Sequence, residues 1–515
     1  MTAVADEAKG SAAAVRFPWG VSRAGLLVLV VAQFLIGLDA AIATVAMPTI
    51  EREMSIGAAS IQWTVIGYMV AAAALAVPVG AFGDRIGKRR VYVVGLAVFT
   101  VGSLMCAASS SGPWLVAGRI VSGCGAAAIG VLALAILTSA VHEDCVPKIV
   151  GLWAALSSVA SCLAPMLSGL LVQTVGWRWL FGVNVVPLAL ITVVAVWKVP
   201  DSSVHAGRRV GSLGSALMVA SVLLIAGGLS LSERYGHASV EVVVAVLCGL
   251  ALLVVFALQQ RHTSKPLTDW SVIGKHPIPA VLALLAAIGL ALTGAMFQET
   301  LLVQNAFDYS PLLAGSLDVG PAVAFIVCAT FASRLAVRFG IGKIVALGLL
   351  VSGIGVLAIG LTNQDPSPVA LAAWFVLLGV GMGLTVPTLN ATAMQRVSSA
   401  SRGAVSGFLS LSSQLSAVVG IALLGGIAAA ATRQSWLADL SDNQRDESLI
   451  GKVVSGAIAN INDNYGITVA NAADVAYEYG VILSLLAGAV GLLAAAVAAV
   501  FWLRGVVFLD PKPRQ

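Results

Sequence analysis

The sequence predicts an all-α integral membrane protein with fourteen transmembrane helices. Hydrophobic residues make up 59% of its 515 residues and charged residues only 10%, against roughly 25% charged residues in an ordinary soluble domain. Apolar runs of about 20 residues, each long enough to cross the hydrocarbon core as a helix, recur along nearly the whole chain. The predicted spans are 25–47, 60–82, 91–109, 114–138, 148–172, 178–198, 212–232, 239–259, 279–304, 311–336, 343–362, 369–393, 404–431 and 478–503.

The basic residues predict on which side of the membrane each loop lies, because cytoplasmic loops near helix ends carry an excess of Lys and Arg. With the N-terminus placed inside, 22 of the 29 Lys and Arg residues fall on the inner side, six fall outside, and Arg119 lies within the fourth span. We therefore expect a multi-pass protein of the plasma membrane with both termini in the cytoplasm. The first span is expected to be retained, since it is too long for the core of a signal peptide.

The loop between the second and third spans combines charges with small residues. It reads GAFGDRIGKRR over residues 80–90, and Arg89 and Arg90 are typical topology anchors. Asp84 and the three glycines need another explanation, since an anchor requires no acid and no small residues at fixed spacing. Glycines at a helix end allow close backbone approach, and an acid there can accept hydrogen bonds from a helix N-terminus. We expect this loop to form a conformational latch.

This loop resembles a signature of the major facilitator superfamily, GxLaDrxGrrr, in which the acid contributes to an inner gate that breaks during alternating access. The matching residues are Gly80, Gly83, Asp84, Arg85, Gly87, Lys88, Arg89 and Arg90. Four other segments resemble the 14-helix branch of drug:proton antiporters, which includes quaternary ammonium and multidrug resistance exporters: LDAAIATVAMP at 38–48, QWTVIGYMV at 62–70, AGRIVSGCGAA at 117–127 and WRWLFGVNVVP at 177–187.

The resemblance implies a major facilitator fold, with two six-helix bundles and two inserted helices. The expected division is a cytoplasmic tail at 1–24, a six-helix bundle at 25–198, the two-helix insertion at 199–265, a second six-helix bundle at 266–503 with an extracellular loop at 432–477, and a cytoplasmic tail at 504–515. In the second bundle, RFGIGK at 338–343 is a degenerate copy of the latch loop, with Val337 in place of the acid. Such degeneracy is typical of structural repeats that have diverged.

The fifth span departs from the antiporter signature GxxxGPxxGG. It reads SCLAPMLSGLL over residues 161–171, with Pro165 and Gly169 in the expected places and with Ala164 and Ser168 replacing two glycines. Small residues are retained, so we expect the packing of this helix to be preserved. The departure weakens the inference of export over import.

Four ionisable residues lie well inside the predicted spans: Asp39, Arg119, Glu299 and Asp318. Each costs on the order of 3 kcal/mol to insert, so each needs a partner, a cavity or a function. Arg119 keeps its proton and can act only on a neighbouring carboxylate or water chain. A carboxylate in an apolar cavity can exchange protons and attract an organic cation, so the four are candidates for proton coupling and substrate binding. The alternatives are that Asp39 accepts a hydrogen bond from a Ser or Thr of a neighbouring helix, and that Glu299 is solvated near the outer rim.

Aromatic and amide side chains within the spans are candidates for the wall of a substrate cavity. Aromatic rings attract a bound cation, whereas amides supply hydrogen bonds. The candidates are Gln33, Trp63, Tyr68, Phe297, Gln304, Trp374, Asn390 and Gln414. The same residue types also serve as interfacial anchors or join helices, and the sequence does not separate these roles.

The sequence lacks the motifs of several other classes. HExxH, GxSxG and GxxxxGK[ST] are absent, the five histidines lie in or next to loops, and the six cysteines are scattered. We therefore expect neither an enzyme nor an ATP-driven pump, with no metal and no cofactor beyond the proton motive force. The net charge of +5 reflects topology rather than nucleic-acid binding.

The predicted function is proton-coupled export of hydrophobic or cationic drugs and antibiotics by alternating access. The alternative is a dedicated exporter of one endogenous metabolite, antibiotic or lipid-like molecule. The expected partners are a small-molecule substrate, protons and the lipid bilayer, with the chain acting as a monomer.

Overall fold

A computed structural model describes residues 22–54, 58–141, 145–200, 212–230, 239–263, 273–303, 316–317, 319–362, 367–398, 401–439, 453 and 467–508. Within these ranges the regular structure is entirely helical, as the sequence predicts. They contain fourteen long helices when the run from Ile278 to Leu301 is counted as one, since an α-helix, a π-helical turn and a second α-helix follow each other there without a break.

The helices are α1 (Arg23–Met54), α2 (Ala58–Ile86), α3 (Lys88–Ala107), α4 (Gly112–Ser139), α5 (Val146–Thr174), α6 (Arg178–Lys198), α7 (Ser212–Ser230), α8 (Val240–His262), α9 (Ile278–Ile288, the π turn Gly289–Thr293, and Gly294–Leu301), α10 (Val319–Phe339), α11 (Ile341–Gly360), α12 (Pro368–Gln395), α13 (Arg402–Asp439) and α14 (Ile467–Trp502).

Hydropathy marks the chain as a multi-pass membrane protein. In the described residues, eleven helices are long and apolar enough to cross a membrane. Two more, α5 and α7, contain the shorter apolar stretches Val146–Ala155 and Leu213–Leu229.

Two helices extend beyond the predicted spans at the long loop near the C-terminus. Helix α13 continues to Asp439 and α14 begins at Ile467, so both ends of the expected loop 432–477 are helical. Trp436 and Tyr477 in these extensions are buried. Packing of these aromatic side chains continues the helices past their apolar spans, which a count of apolar residues alone does not detect.

The helices form two bundles with an accessory pair. Helix α3 packs on α4 and α6, α2 on α4, and α1 on α5 and α6; in the second half, α12 packs on α10 and α11, and α14 packs on α11 and α13. The bundles meet where α2 contacts α13 and where α5 contacts α10 and α12. Helices α7 and α8 pack on each other, and α7 lies against both α2 and α13.

The two bundles repeat one backbone feature, a glycine with positive φ between consecutive helices. Gly87 separates α2 from α3 with φ 109°, and Gly340 separates α10 from α11 with φ 97°. Only glycine adopts such a backbone conformation without strain. The shared turn supports the interpretation of RFGIGK as the degenerate copy of the latch loop.

Several chain segments meet at one end of the bundle. Ser22 Oγ, before α1, donates to the Lys198 carbonyl at the end of α6 (3.3 Å). Arg396, after α12, donates through Nη2 to the Val507 carbonyl after α14 (2.6 Å). Since consecutive helices alternate in direction, the start of α1 and the end of α14 lie on the same side as the α2–α3 junction. The assignment of this side to the cytoplasm stays a prediction from the charge distribution.

Candidate functional site

Two of the buried ionisable residues form an ion pair inside the first bundle. Arg119 on α4 donates through Nη1 to Asp39 Oδ2 on α1 at 2.5 Å, and both residues have 0% relative exposure. A buried charge is tolerated when it is paired and hydrogen-bonded. The partner of Asp39 is therefore a guanidinium, rather than the Ser or Thr hydroxyl that the sequence left as an alternative.

Two further polar groups hold this pair. Arg119 Nε donates to the backbone carbonyl of Thr64 on α2 at 3.0 Å, and Asn184 on α6 donates through Nδ2 to Asp39 Oδ1 at 3.3 Å. The network thus joins four helices of the first bundle. Asn184 was not among the sequence candidates, although a lone amide within an apolar span is the signal that could have identified it.

Aromatic rings cover the guanidinium. The Cζ atom of Arg119 lies 4.3 Å from the centroid of the Tyr68 ring and 5.7 Å from that of Phe181. Both distances allow cation–π attraction, which strengthens when the groups are desolvated. Arg119 Nη2 has no hydrogen-bond partner among the described side chains. The guanidinium therefore retains one donor group for a water molecule or a rearranged partner.

A cavity of about 270 Å³ lies between the two bundles. Helices α1, α2, α4 and α5 form one wall and α9, α12 and α13 form the other, and its polar side chains include Gln33, Tyr68, Trp153, Asn390, Ser410 and Gln414. Gln414 Nε2 donates to Ser410 Oγ at 2.7 Å. An apolar wall with a few placed polar groups is typical of small-molecule sites.

The structure places half of the predicted wall residues in this cavity, namely Gln33, Tyr68, Asn390 and Gln414. Phe297 is exposed, and Trp63 and Trp374 are partly buried, outside the residues that line the cavity. Trp153 lines it and was not predicted. Gln304 and Asp318 fall outside the described residues, as do the side chains of Pro165 and Gly169 within α5.

Glu299 does not line the central cavity. Its relative exposure is 1%, beside the similarly buried Gln298 in the last part of α9. In this conformation Glu299 is therefore enclosed by protein rather than solvated at the rim, and the structure does not bring it to the Asp39–Arg119 pair.

The α2–α3 junction meets the second bundle through Asp84. Asp84 Oδ1 accepts a hydrogen bond from the backbone N–H of Gly403 at 2.9 Å, and Oδ2 accepts one from Ala404 at 2.7 Å. Lys88 Nζ lies 3.1 Å from Asp84 Oδ1. The carboxylate thus caps the N-terminus of α13, where unsatisfied N–H groups and the helix dipole favour a negative charge.

Small residues allow the backbones of α2 and α13 to approach each other closely at this contact. A Cβ atom on Gly80 would overlap the carbonyl group of Gly403, and one on Gly403 would lie 2.5 Å from the Gly80 oxygen. A Cβ on Gly83 would lie 2.5 Å from Leu132 Cδ2. Any larger side chain at Gly80 or Gly403 would therefore separate α2 from α13.

Two side chains of α13 reinforce the contact from the other side. Arg402 Nη1 donates to the Thr138 carbonyl at the end of α4, and Ser406 Oγ donates to the Val131 carbonyl at 2.7 Å. Among the remaining basic residues of the motif, Arg85 and Arg89 are partly buried and Arg90 is exposed. The two bundles are thus closed against each other at the end that carries the loop motif.

Comparison with known proteins agrees with this architecture. The Major Facilitator Superfamily matches residues 29–206 and 202–421. The chain is 30% identical over 405 residues to the methylenomycin A resistance protein of Bacillus subtilis (strain 168), covering 78% of this chain and 86% of that protein. It is 27% identical over 445 residues to the multidrug resistance protein Stp of Mycobacterium tuberculosis (strain CDC 1551 / Oshkosh), covering 86% and 82%.

The solved structure of the human organic anion transporter MFSD10 (TETRAN) has the same fold, with a TM-score of 0.64 at 13% identity over 93% of this chain and 99% of that one. The major facilitator fold predicted from the sequence motifs is confirmed. The chain belongs to the Major Facilitator Superfamily of membrane transporters.

Proposed function

We propose that this protein is a proton-coupled exporter of hydrophobic or cationic small molecules that works by alternating access. The observation that carries the proposal is the double role of Tyr68, which lines the central cavity and covers the Arg119 guanidinium at 4.3 Å. One ring therefore connects the space available to a substrate with a buried pair that can take up a proton. Both relatives are named for drug or antibiotic resistance, which favours export of such compounds.

Within the pair, the proton must go to Asp39, because an arginine keeps its charge. Protonation would remove the charge that faces Arg119 at 2.5 Å and leave a buried guanidinium unpaired. Breaking one side of a buried pair costs about 3–5 kcal/mol, which is enough to drive a rearrangement. Arg119 would then seek another acceptor, and Tyr68 would move with it and reshape the cavity wall.

The latch supplies the second element of the cycle. The charge distribution predicts that the closed end faces the cytoplasm; with that orientation, the cavity is shut from the cytoplasmic side in this conformation. Opening it requires Asp84 to leave the N–H groups of Gly403 and Ala404. Hydrogen bonds to a charged group contribute about 1.5–3 kcal/mol each, so the latch is strong enough to hold one state and weak enough to be broken by substrate and proton binding.

The proposal is tested by ethidium transport in inside-out membrane vesicles with an imposed proton gradient. Wild-type vesicles should accumulate the dye until a protonophore is added. Asp39→Asn should slow accumulation by about tenfold or more, because an amide cannot take up the proton that breaks the buried pair. The matched control is Glu241→Gln, an acid exposed at the start of α8, which should transport at the wild-type rate. Protonophore-sensitive transport by Asp39→Asn at the wild-type rate would contradict the role of Asp39.

The dedicated exporter is the second candidate, and the relative named for resistance to methylenomycin A alone favours it. A panel of unrelated dyes, quaternary ammonium compounds and antibiotics separates the two. Extrusion of several unrelated compounds supports the polyspecific exporter. A chain that is present in the membrane and extrudes one compound, or none of the dyes, supports the dedicated one.

A further inference from the structure

A second and larger cavity lies away from the central one. Its volume is about 670 Å³, within the range of about 300–1,000 Å³ typical of ligand sites. The inserted pair α7–α8 forms one side, and α9, α13 and α14 form the other. Its large lining side chains include Met218, Phe256, Leu282, Leu290, Phe408 and Leu415.

The wall of this cavity, which we call the lateral cavity, carries no charged side chain among its described residues, and its two side-chain hydroxyl donors are already used within the protein. Of its described lining residues only Ser412 and Ser416 carry a hydroxyl. Ser412 Oγ donates to the Leu282 carbonyl at 2.6 Å, and Ser416 Oγ donates to the Ser412 carbonyl at 2.5 Å. Water is stable in a cavity only where polar partners are available, so the lateral cavity suits hydrocarbon.

The lateral cavity is only partly enclosed and adjoins helix α8, whose other face is exposed. Leu253, Phe256 and Ala257 face the cavity, whereas the neighbouring Val254 and Val255 are 59% and 47% exposed. In a membrane-spanning helix these exposed valines contact lipid. Acyl chains of the bilayer therefore lie beside the helix that forms one wall of this apolar cavity.

Packing of the inserted pair leaves a space that none of the described side chains fills. Helix α8 packs chiefly on α7, and α7 on α2 and α13, so the cavity separates α8 from α9. On the opposite wall the π turn Gly289–Thr293 interrupts α9, and its residues Leu290 and Ala291 line the cavity. An empty apolar space forfeits the dispersion contacts of its walls, which an apolar filler restores.

We propose that the lateral cavity binds one acyl chain of a membrane phospholipid, which fills the space between the inserted pair and the second bundle. The headgroup stays at the membrane surface, because none of the described lining residues is charged and could receive it. This site is separate from the central cavity. Leu285 and Ser413 face the central cavity, whereas Leu282 and Ser412 on the same helices face the lateral one.

The test is photolabelling of the purified full-length chain, reconstituted in vesicles of phosphatidylethanolamine and phosphatidylglycerol. A phospholipid with a diazirine in its acyl chain is activated, and labelled peptides are mapped by mass spectrometry. Labelling should mark the cavity-facing residues of α8, α9 and α13. Ala257→Trp, which fills the cavity, should lower that labelling by about tenfold, equivalent to about 1.4 kcal/mol of binding.

Two matched variants keep the result interpretable. Val255→Trp places the same side chain on the lipid-facing surface of α8 and should leave cavity labelling unchanged. Phe256→Ala enlarges the cavity and should retain or increase it, and gel filtration verifies the folding of each variant. Equal cavity labelling in Ala257→Trp and wild type would overturn the proposal, as would labelling that depends on the lipid headgroup.

A final version of the labelling experiment adds excess ethidium as a competitor. Displacement of the label by ethidium would assign the cavity to a drug-like ligand and overturn the lipid assignment, whereas undisturbed labelling supports it. Since no transport is measured, the result is independent of the proposed export function.

Discussion

The junctions α2–α3 and α10–α11 occupy corresponding positions in the two bundles, and they differ in one decisive side chain. Both turn through a glycine of positive φ, Gly87 and Gly340. Three residues before the glycine, the first junction has Asp84, which caps α13, and the second has Val337, which is 69% exposed. The backbone turn is needed wherever two antiparallel helices connect this tightly, whereas the charge is needed only where it has a helix terminus to cap.

The contacts between the two bundles near these junctions, α2 with α13 and α5 with α10, differ in the same way. Between α2 and α13, a carboxylate accepts two backbone hydrogen bonds across the bundles. Between α5 and α10, the close approach is at Gly151, where a Cβ would lie 2.7 Å from the Ala329 carbonyl oxygen. Small-residue packing tolerates sliding, whereas a charged cap is either made or broken. We infer that the α2–α13 contact switches between a made and a broken state, and that the α5–α10 contact accommodates the resulting movement of the two bundles.

The largest effect on the α2–α13 contact is expected for Gly80→Ala. The added Cβ would overlap the Gly403 carbonyl, and overpacking of this kind costs about 1–3 kcal/mol. The Asp84 hydrogen bonds should be lost as well, so we expect transport to fall by more than tenfold. Gly227→Ala on α7 is the matched control, because a Cβ there meets nothing within 4 Å. Equal ethidium transport by the two variants would show that the close approach is not required.

The next effect is expected for Asp84→Asn. The amide has one oxygen to accept from Gly403 or Ala404 and no charge for the α13 terminus, so about 1.5–3 kcal/mol of the closed state should be lost. A Ser410→Cys probe in the cavity, in a background without other cysteines, should react about 10 to 150 times faster with a thiol reagent applied from the latch side. Val337→Asp is the matched change at the second junction. Because residue 337 is exposed and caps no helix, it should leave the reaction rate unchanged.

The latch is the part of the site that local sequence predicts best. Its glycines and acid lie within eleven residues, GAFGDRIGKRR, and their chemistry requires close approach and a helix terminus. What the pattern does not contain is the partner, since Gly403 is 319 residues away from Asp84. Likewise, Asp39 and Arg119 were each expected to need a partner, and only the packing of α1 on α4 shows that they have each other.

The cavity wall was harder to predict for a physical reason. Membrane helices are apolar on every side, so their sequence does not mark which face turns inward as it does in a soluble amphipathic helix. Asn390 faces the central cavity, whereas Trp374, on the same helix α12, does not. The lateral cavity was not predicted at all, because it is a gap between elements and no residue type marks it.

The smallest effect is expected for Lys88→Met, which keeps most of the side-chain volume and removes the charge 3.1 Å from Asp84. The two backbone hydrogen bonds to Asp84 remain, so its carboxylate is not left without a partner. The closed state should therefore lose only about 1 kcal/mol, less than the roughly 3–5 kcal/mol that breaking a buried pair costs when one charge is left uncompensated. The thiol probe should react a few times faster than in wild type and more slowly than in Asp84→Asn. Lys88 is 2% exposed, so added salt should alter this difference little. If Lys88→Met instead opens the latch as fully as Asp84→Asn, the ion pair rather than the capping of α13 holds the bundles together. The α2–α3 junction would then differ from the α10–α11 junction by its ion pair and not by a capped helix.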